Sequence, residues 1–195
     1  SRTEVSGTAR LFGASIDFVV DSDHEKDFLQ VKANAPNAPG LAALASRLSG
    51  IEIGGGLGGR IMLATGTNLE DFDVNLELDL GDASIDLPVL SWVKLPAEDG
   101  RVKTRLVLKG GRLVAIEDID LSAGSMEAMG RAAFGTADDG TFGLVSASFE
   151  RLTWPGNDIA KMTLTRDEEN LWAITAEAAQ IDLVPLRRNR GIGKG

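Results

Sequence analysis

The chain has 195 residues, with 29 acidic and 20 basic side chains and a formal net charge of −9; this size holds one domain with a real core, or a slice of something longer. The acidic balance argues against nucleic acid, whose phosphates need a positive face, and against an electrostatic grip on anionic headgroups. Zero cysteines and a single histidine exclude disulfides, thiolate chemistry and cysteine-ligated zinc.

Apolar and polar residues alternate from the start, which is the period of a strand. "TEVSGTARLF" (3–12), "ASIDFVVD" (14–21) and "KDFLQVKAN" (26–34) predict three strands. Between the last two, "DSDHEKD" (21–27) places Asp21, Asp23, Glu25 and Asp27 at alternate positions, as a calcium loop begins. Such a loop needs glycine at its sixth position and glutamate at its twelfth. Here those positions hold Lys26 and Lys32, so the segment reads as a solvated turn. His24, inside it, has no second histidine or cysteine to complete a zinc site and no evident triad partners. No metal and no cofactor are expected.

"APGLAALASRLSG" (38–50) predicts the one helix: Leu41, Leu44, Ala45 and Leu48 fall at helical spacing, with Pro39 near the start and Gly50 past the end. "IEIGGGLGGRIMLATG" (51–66) follows and contains a formal G-x-G-x-x-G at Gly54, Gly56 and Gly59. A dinucleotide fingerprint must leave a strand and open a helix. The following "RIMLATGT" has a strand pattern, and no Gly-Lys-Ser/Thr follows, so the glycines are read as a wide turn or sheet bend.

Two hairpins are predicted next. In "FDVNLELDLGDASIDLPVL" (72–90) the apolar parity changes at Gly81-Asp82. A two-residue turn there sets Leu80 against Ala83, Leu78 against Ile85, Leu76 against Leu87 and Val74 against Val89. In "RVKTRLVLKGGRLVAIEDIDL" (101–121) a Gly110-Gly111 turn sets Leu108 against Leu113, Leu106 against Ala115 and Val102 against Ile119. The other side then pairs Lys103 with Asp118 and Arg101 with Asp120. Further strands are predicted at 124–135, 140–154, 157–166 and 170–182. The class is mainly β: an antiparallel meander of about ten or more strands, counted from turn signals, with one short helix.

Asp73, Glu77, Asp79 and Asp86 alternate away from the apolar face. Acid–base catalysis needs a buried or paired carboxylate, and no such pair is evident, so an enzyme is not expected. The apolar faces have two readings: the packed core of a closed β-structure, or a lining that stays open for an apolar ligand. Periodicity does not choose between them.

The order "APGLAALASRLSGIEIGGGLGGRIML", then "ELDLGDASIDLPVL", then "KTRLVLKGGRLVAIEDIDLSAGSMEAMGRAAFG" resembles the repeating layout of AsmA-like proteins, especially the YhdP-like branch. "FERLTWPGNDIAKMTLTRDEENLWAITAEAAQIDLVPL" is similar to the same family's strand, acidic turn and "W-x-I" strand. The resemblance is clearest over 38–186. It implies a strongly curved, groove-like half-barrel sheet, a periplasmic setting, and an inner-membrane anchor lying outside these residues. It also implies a bridge that conducts phospholipid acyl chains between the inner and outer membranes, with no catalytic residues. Residues 1–186 would be one β-rich segment, and 187–195, with Arg187, Arg188, Arg190 and Lys194, a basic flexible tail. Leu76, Leu78, Leu80, Ile85, Leu87, Val89, Leu106, Leu108, Leu113, Ile119 and Leu121 are then expected to line the groove. The alternative is an envelope scaffold with a fully packed core and no ligand. A slice of a longer sheet also exposes two unpaired edges, so edge-to-edge self-association is expected.

Overall fold

The structure, a computed structural model, describes residues 2–11, 14–23, 28–38, 42, 43, 46, 51–65, 70–136, 140–166 and 171–182. It is mainly β, with 80% of the described residues in strands, and is built on one large antiparallel sheet that does not close. The alternation of the first three predicted strands gives β1 (Arg2–Leu11), β2 (Ala14–Asp23) and β3 (Phe28–Ala38). Of the predicted helix, Ala42, Ala43 and Ser46 have helical backbone, Ala38 still belongs to β3, and the remainder of 39–50 lies outside the described residues. The turn at 24–27 and the tail at 187–195 lie outside them too.

The glycine stretch is a sheet switch. It separates β4 (Glu52–Gly55) from β5 (Leu57–Thr65), and the two strands join different sheets. Gly55 turns the chain at φ +76°, and an added Cβ would lie 2.2 Å from the Asp82 carbonyl oxygen. Only glycine takes that conformation at that separation without strain.

The 72–90 region departs from the expected hairpin. A tight turn does form at Gly81-Asp82, closed by the Ala83 amide donating to the Leu80 carbonyl at 3.0 Å. The strands on either side of it then part. β6 (Phe72–Asp79) pairs with β5, and on its other edge with β9 (Gly100–Lys109). β7 (Ala83–Leu87) joins a second sheet with β4 and β8 (Trp92–Lys94), after a 3-10 turn at Pro88–Leu90. Leu76 and Leu78 therefore face Thr104 and Val102 across the ladder, not Leu87 and Ile85. The Val89 side chain lies outside the described residues.

The second hairpin forms with its expected turn. Gly110 and Gly111 have φ of +55° and +70°, and Lys109 pairs with Arg112 and Leu108 with Leu113. Further along β10 (Arg112–Ala123) two bulges shift the register. Leu106 meets Ile116 in place of Ala115, Val102 meets Leu121 in place of Ile119, and Lys103 meets Asp120 in place of Asp118. Asp118 takes φ +53° at the second bulge. Each bulge inserts one residue, so strict alternation could not have located it.

β11 (Met126–Thr136), β12 (Phe142–Trp154), β13 (Asn157–Arg166) and β14 (Trp172–Gln180) complete the meander. The main sheet runs β1-β2-β3-β5-β6-β9-β10-β11-β12-β13-β14, and the small one runs β4-β7-β8. Leu80, Ala83 and Trp92 pack with Leu57, Ala123 and Met126, so the small sheet closes a core against one end of the strands.

A Cβ added at Gly110 would meet no atom within 4 Å, so a substitution there tests the backbone conformation alone. Gly110→Val is expected to lower stability by about 1–3 kcal/mol, the cost of forcing a sparsely populated φ, read as a fall in the denaturant midpoint at unchanged slope.

Candidate apolar face

Cross-strand partners share a side of the sheet, so the pairing carries apolar residues across the main sheet in rows. One row runs Val20, Val31, Leu63, Val74, Leu106, Ile116, Ala132, Ala147, Leu164 and Ile174, from β2 to β14. The neighbouring row carries Phe18, Ala33, Ile61 and Leu76, meets Thr104, and resumes beyond the bulge at Ile119 with Gly130, Phe149 and Met162. A third passes through Leu78, Val102, Leu121, Ala128, Leu152 and Ile159. The bulges keep the rows intact. On β10 the face is held by Leu113, Ile116, Ile119 and Leu121, whose spacing of three, three and two compensates each inserted residue.

Ten of the eleven expected lining residues, all but Val89, divide between two environments. Leu80 is buried, and Leu78, Ile85, Leu87 and Leu121 pack against the same core as Trp92 and Met126. Leu76, Leu106, Leu108, Leu113 and Ile119 are half-buried and belong to none of the described buried clusters. Leu78, Leu80 and Leu121 are roofed by the small sheet, and Ile85 and Leu87 belong to that sheet on β7. The second group lies on the strand stretches beyond that roof.

The cover depends on two residues that periodicity did not single out. Trp92 donates from Nε1 to the Ser125 hydroxyl at 3.2 Å, tying β8 to the β10–β11 turn. Lys94 is fully buried, and its ammonium donates to the carbonyls of Ala83 at 3.0 Å and Leu95 at 3.1 Å. Both side chains point inward because they are two apart on one short strand. The tryptophan was the only available signal for this, since a lysine at an alternate position ordinarily reads as solvent-facing.

The other side of the sheet is charged and mostly self-paired. Lys103 lies 2.9 Å from Glu77. Arg105 contacts Asp73 at 3.4 Å, Asp118 at 3.5 Å, and Glu117 more closely. A hollow here has Arg60, Asn75, Glu77, Lys103 and Arg105 in its lining, and Glu77, Lys103 and Arg105 are already committed to these pairs. The hydrogen bond and charge of Lys103 hold the Glu77 carboxyl below its ordinary range, and the charge of Glu117 is the largest influence raising Arg105. Exposed pairs of this kind contribute little to stability. Among the described residues there is no group of three or more His, Cys, Asp or Glu placed to hold a metal, and no helix long and apolar enough to cross a membrane.

No family profile, no curated protein and no solved structure matches the chain. The apolar rows and their partial roof are therefore the basis for assigning a function.

Two outcomes test this geometry. Lys94→Met keeps the volume but strands the buried Ala83 carbonyl, and should cost about 1–3 kcal/mol, the penalty for an unmet buried hydrogen bond, measured by chemical denaturation. The second concerns Glu77, whose folded carboxyl titrates below its unfolded value of about 4.3. Its contribution is present above that value and is lost as pH falls through the lower folded one. The stability advantage of the native chain over Lys103→Met should therefore be present at neutral pH and vanish in acid, as followed by thermal melts across a pH series.

Proposed function

We propose that this chain is a segment of a cell-envelope protein that shields and conducts phospholipid acyl chains along the apolar side of its sheet. The observation that carries the reading is the row from Val20 to Ile174, apolar at every position across ten strands. At about 4.8 Å per strand such a row extends roughly 43 Å. An acyl chain in one leaflet spans about 15 Å, half the hydrocarbon thickness. A row can thus hold successive chains end to end, as conduction requires and a single-ligand pocket does not.

In this reading the sheet curves into a trough, with the short helix predicted at 38–50 along one side. The bulges on β10 and β12 support it, because bulges bend strands and increase local twist. Leu76, Leu106, Leu108, Leu113 and Ile119 form the open lining, and the residues under the small sheet form its wall. Water-exposed apolar surface costs about 25 cal/mol for each Å², and acyl chains relieve that cost without catalysis, metal or cofactor. The likeness in sequence layout to AsmA-like proteins supports a periplasmic setting, with an inner-membrane anchor elsewhere in the protein.

A second reading, a scaffold without ligand, is favoured by one observation. Leu78, Leu80, Ile85, Leu87 and Leu121 belong to a packed core. The two readings predict different behaviour for the two groups of residues.

Lipids extracted from the purified chain and identified by mass spectrometry provide the test. Leu106→Asp and Leu108→Asp, beyond the roof, should fold and lose most co-purifying phospholipid. Leu80→Asp, 4% exposed, should unfold the chain, while Asn75→Asp on the charged side should leave lipid content unchanged. Lipid-free native protein, or Leu106→Asp and Leu108→Asp variants that unfold, would establish the scaffold.

A further inference from the structure

We propose that Arg166, stacked on Trp172, holds the phosphate of an anionic amphiphile whose tail lies on the apolar rows. The proposal rests on the acyl-chain reading above and adds the headgroup chemistry that the sheet selects.

Arg166 closes β13 and Trp172 opens β14. The two are direct partners in the ladder, as are Leu164 and Ile174 two residues further in. Cross-strand partners share a side, and so do residues two apart on one strand. Arg166 therefore stands on the apolar side. Away from the bulges, it is the one charged residue that the described main-sheet ladders place there. The acids of those ladders face the other way, so the one charge on this side of an acidic chain is a cation.

The arginine is half-buried, and its guanidinium carbon lies 5.8 Å from the centroid of the Trp172 ring, a cation–π contact. Its Nε is closed to water and has no hydrogen-bond acceptor. No carboxylate among the described residues forms an ion pair with it. A buried donor without an acceptor costs stability, and in a folded protein it calls for an explanation. A cation partly stripped of water also attracts an anion more strongly than one in bulk solvent does. Arginine's planar fork matches the oxygens of a phosphate, which it binds through two parallel hydrogen bonds.

Position links this cation to the rows. β13 enters a buried cluster at Ile159, near its start, and Arg166 is its last residue, at the end away from the roof. Leu164 and Ile174 are the last two members of the row that begins at Val20. A phosphate on Arg166 would thus set its tail on that row. Binding sites of this composition, mostly apolar with one placed polar group, fix a ligand's orientation as well as its presence.

Calorimetric titration of the chain with dodecyl phosphate, dodecyl maltoside and inorganic phosphate tests the site, with both amphiphiles kept below their micelle concentrations. The native chain should bind dodecyl phosphate about tenfold more tightly than dodecyl maltoside, as a charge-assisted hydrogen bond provides, and inorganic phosphate only weakly. Arg166→Met should bring dodecyl phosphate to the affinity of dodecyl maltoside, leave the maltoside unchanged, and keep the denaturant midpoint. Arg166→Lys, which retains the charge without the fork, should restore part of the preference. Arg131→Met, on the charged side opposite Ser148, should alter neither affinity. Equal binding of the two amphiphiles by the native chain overturns the headgroup site and leaves the acyl-chain reading standing. Binding of neither overturns both. Inorganic phosphate bound as tightly as dodecyl phosphate marks a free-anion site and overturns the assignment to an amphiphile. A lowered denaturant midpoint in Arg166→Met assigns the guanidinium to an ion pair within the chain and overturns it as well.

Discussion

The rest of the structure depends on register. An eleven-strand sheet keeps its apolar residues on one side only if each pairing preserves side-chain parity, because a slip of one residue sends a whole strand's apolar set to the other side. Bulges threaten that parity wherever they occur, and here the sequence absorbs them. On β10 the apolar positions stretch from a spacing of two to three at each inserted residue, and β12 does the same with Leu144, Ala147, Phe149 and Leu152. The charged side inherits the same order: Glu77 reaches Lys103, and Arg105 sits among Asp73, Glu117 and Asp118. One backbone constraint thus sets the composition of both sides.

The second organising feature is the pair of excursions from the meander. One leaves after β3 and returns at β5, and the other leaves after β6 and returns at β9. Each contributes strands to the small sheet, so segments distant in sequence assemble into one roof. Gly55 permits the first return and the Leu80–Ala83 turn starts the second departure, the two meeting where the Gly55 backbone approaches Asp82. The roof buries Leu80, Ala83 and Trp92, the kind of full burial that contributes roughly 1.5–3 kcal/mol for each large side chain.

Local pattern made most strands legible, because alternation and turn residues are local signals. The β11–β12 and β13–β14 pairs and the Gly110-Gly111 turn follow from them directly. The hairpin expected at 72–90 did not form, although its turn did. A change of apolar parity at Gly81-Asp82 suits a hairpin and a switch between sheets equally well. What decides is competition for the edge of β6, which β9 fills with Val102, Leu106 and Leu108 facing Leu78, Val74 and Phe72. That contest spans some thirty residues of chain and leaves no mark in either segment alone. The inward Lys94 was hidden for a related reason: the Ala83 carbonyl that accepts from it comes within reach only once β7 and β8 pair in the small sheet. Of the expected lining, sequence identified an apolar side but could not tell which part of it would be roofed.

That division separates stability from binding along the same strands. β6 carries Leu78 into the packed core and Leu76, two residues back, out of it. β9 likewise carries Val102 inward and leaves Leu106 and Leu108 beyond the roof. Exposed ion pairs on the charged side add little to folding, so the core under the small sheet and the backbone ladder hold the chain together. The rows beyond the roof are then free to vary in chemistry at small cost to the fold, provided they stay apolar enough for their occupant. A scaffold whose apolar side is wholly committed to packing has no such freedom, because every residue of a close-packed core is constrained by volume. Where substitution is tolerated along β6 and β9 therefore distinguishes the two functions, and the boundary should fall between Leu76 and Leu78.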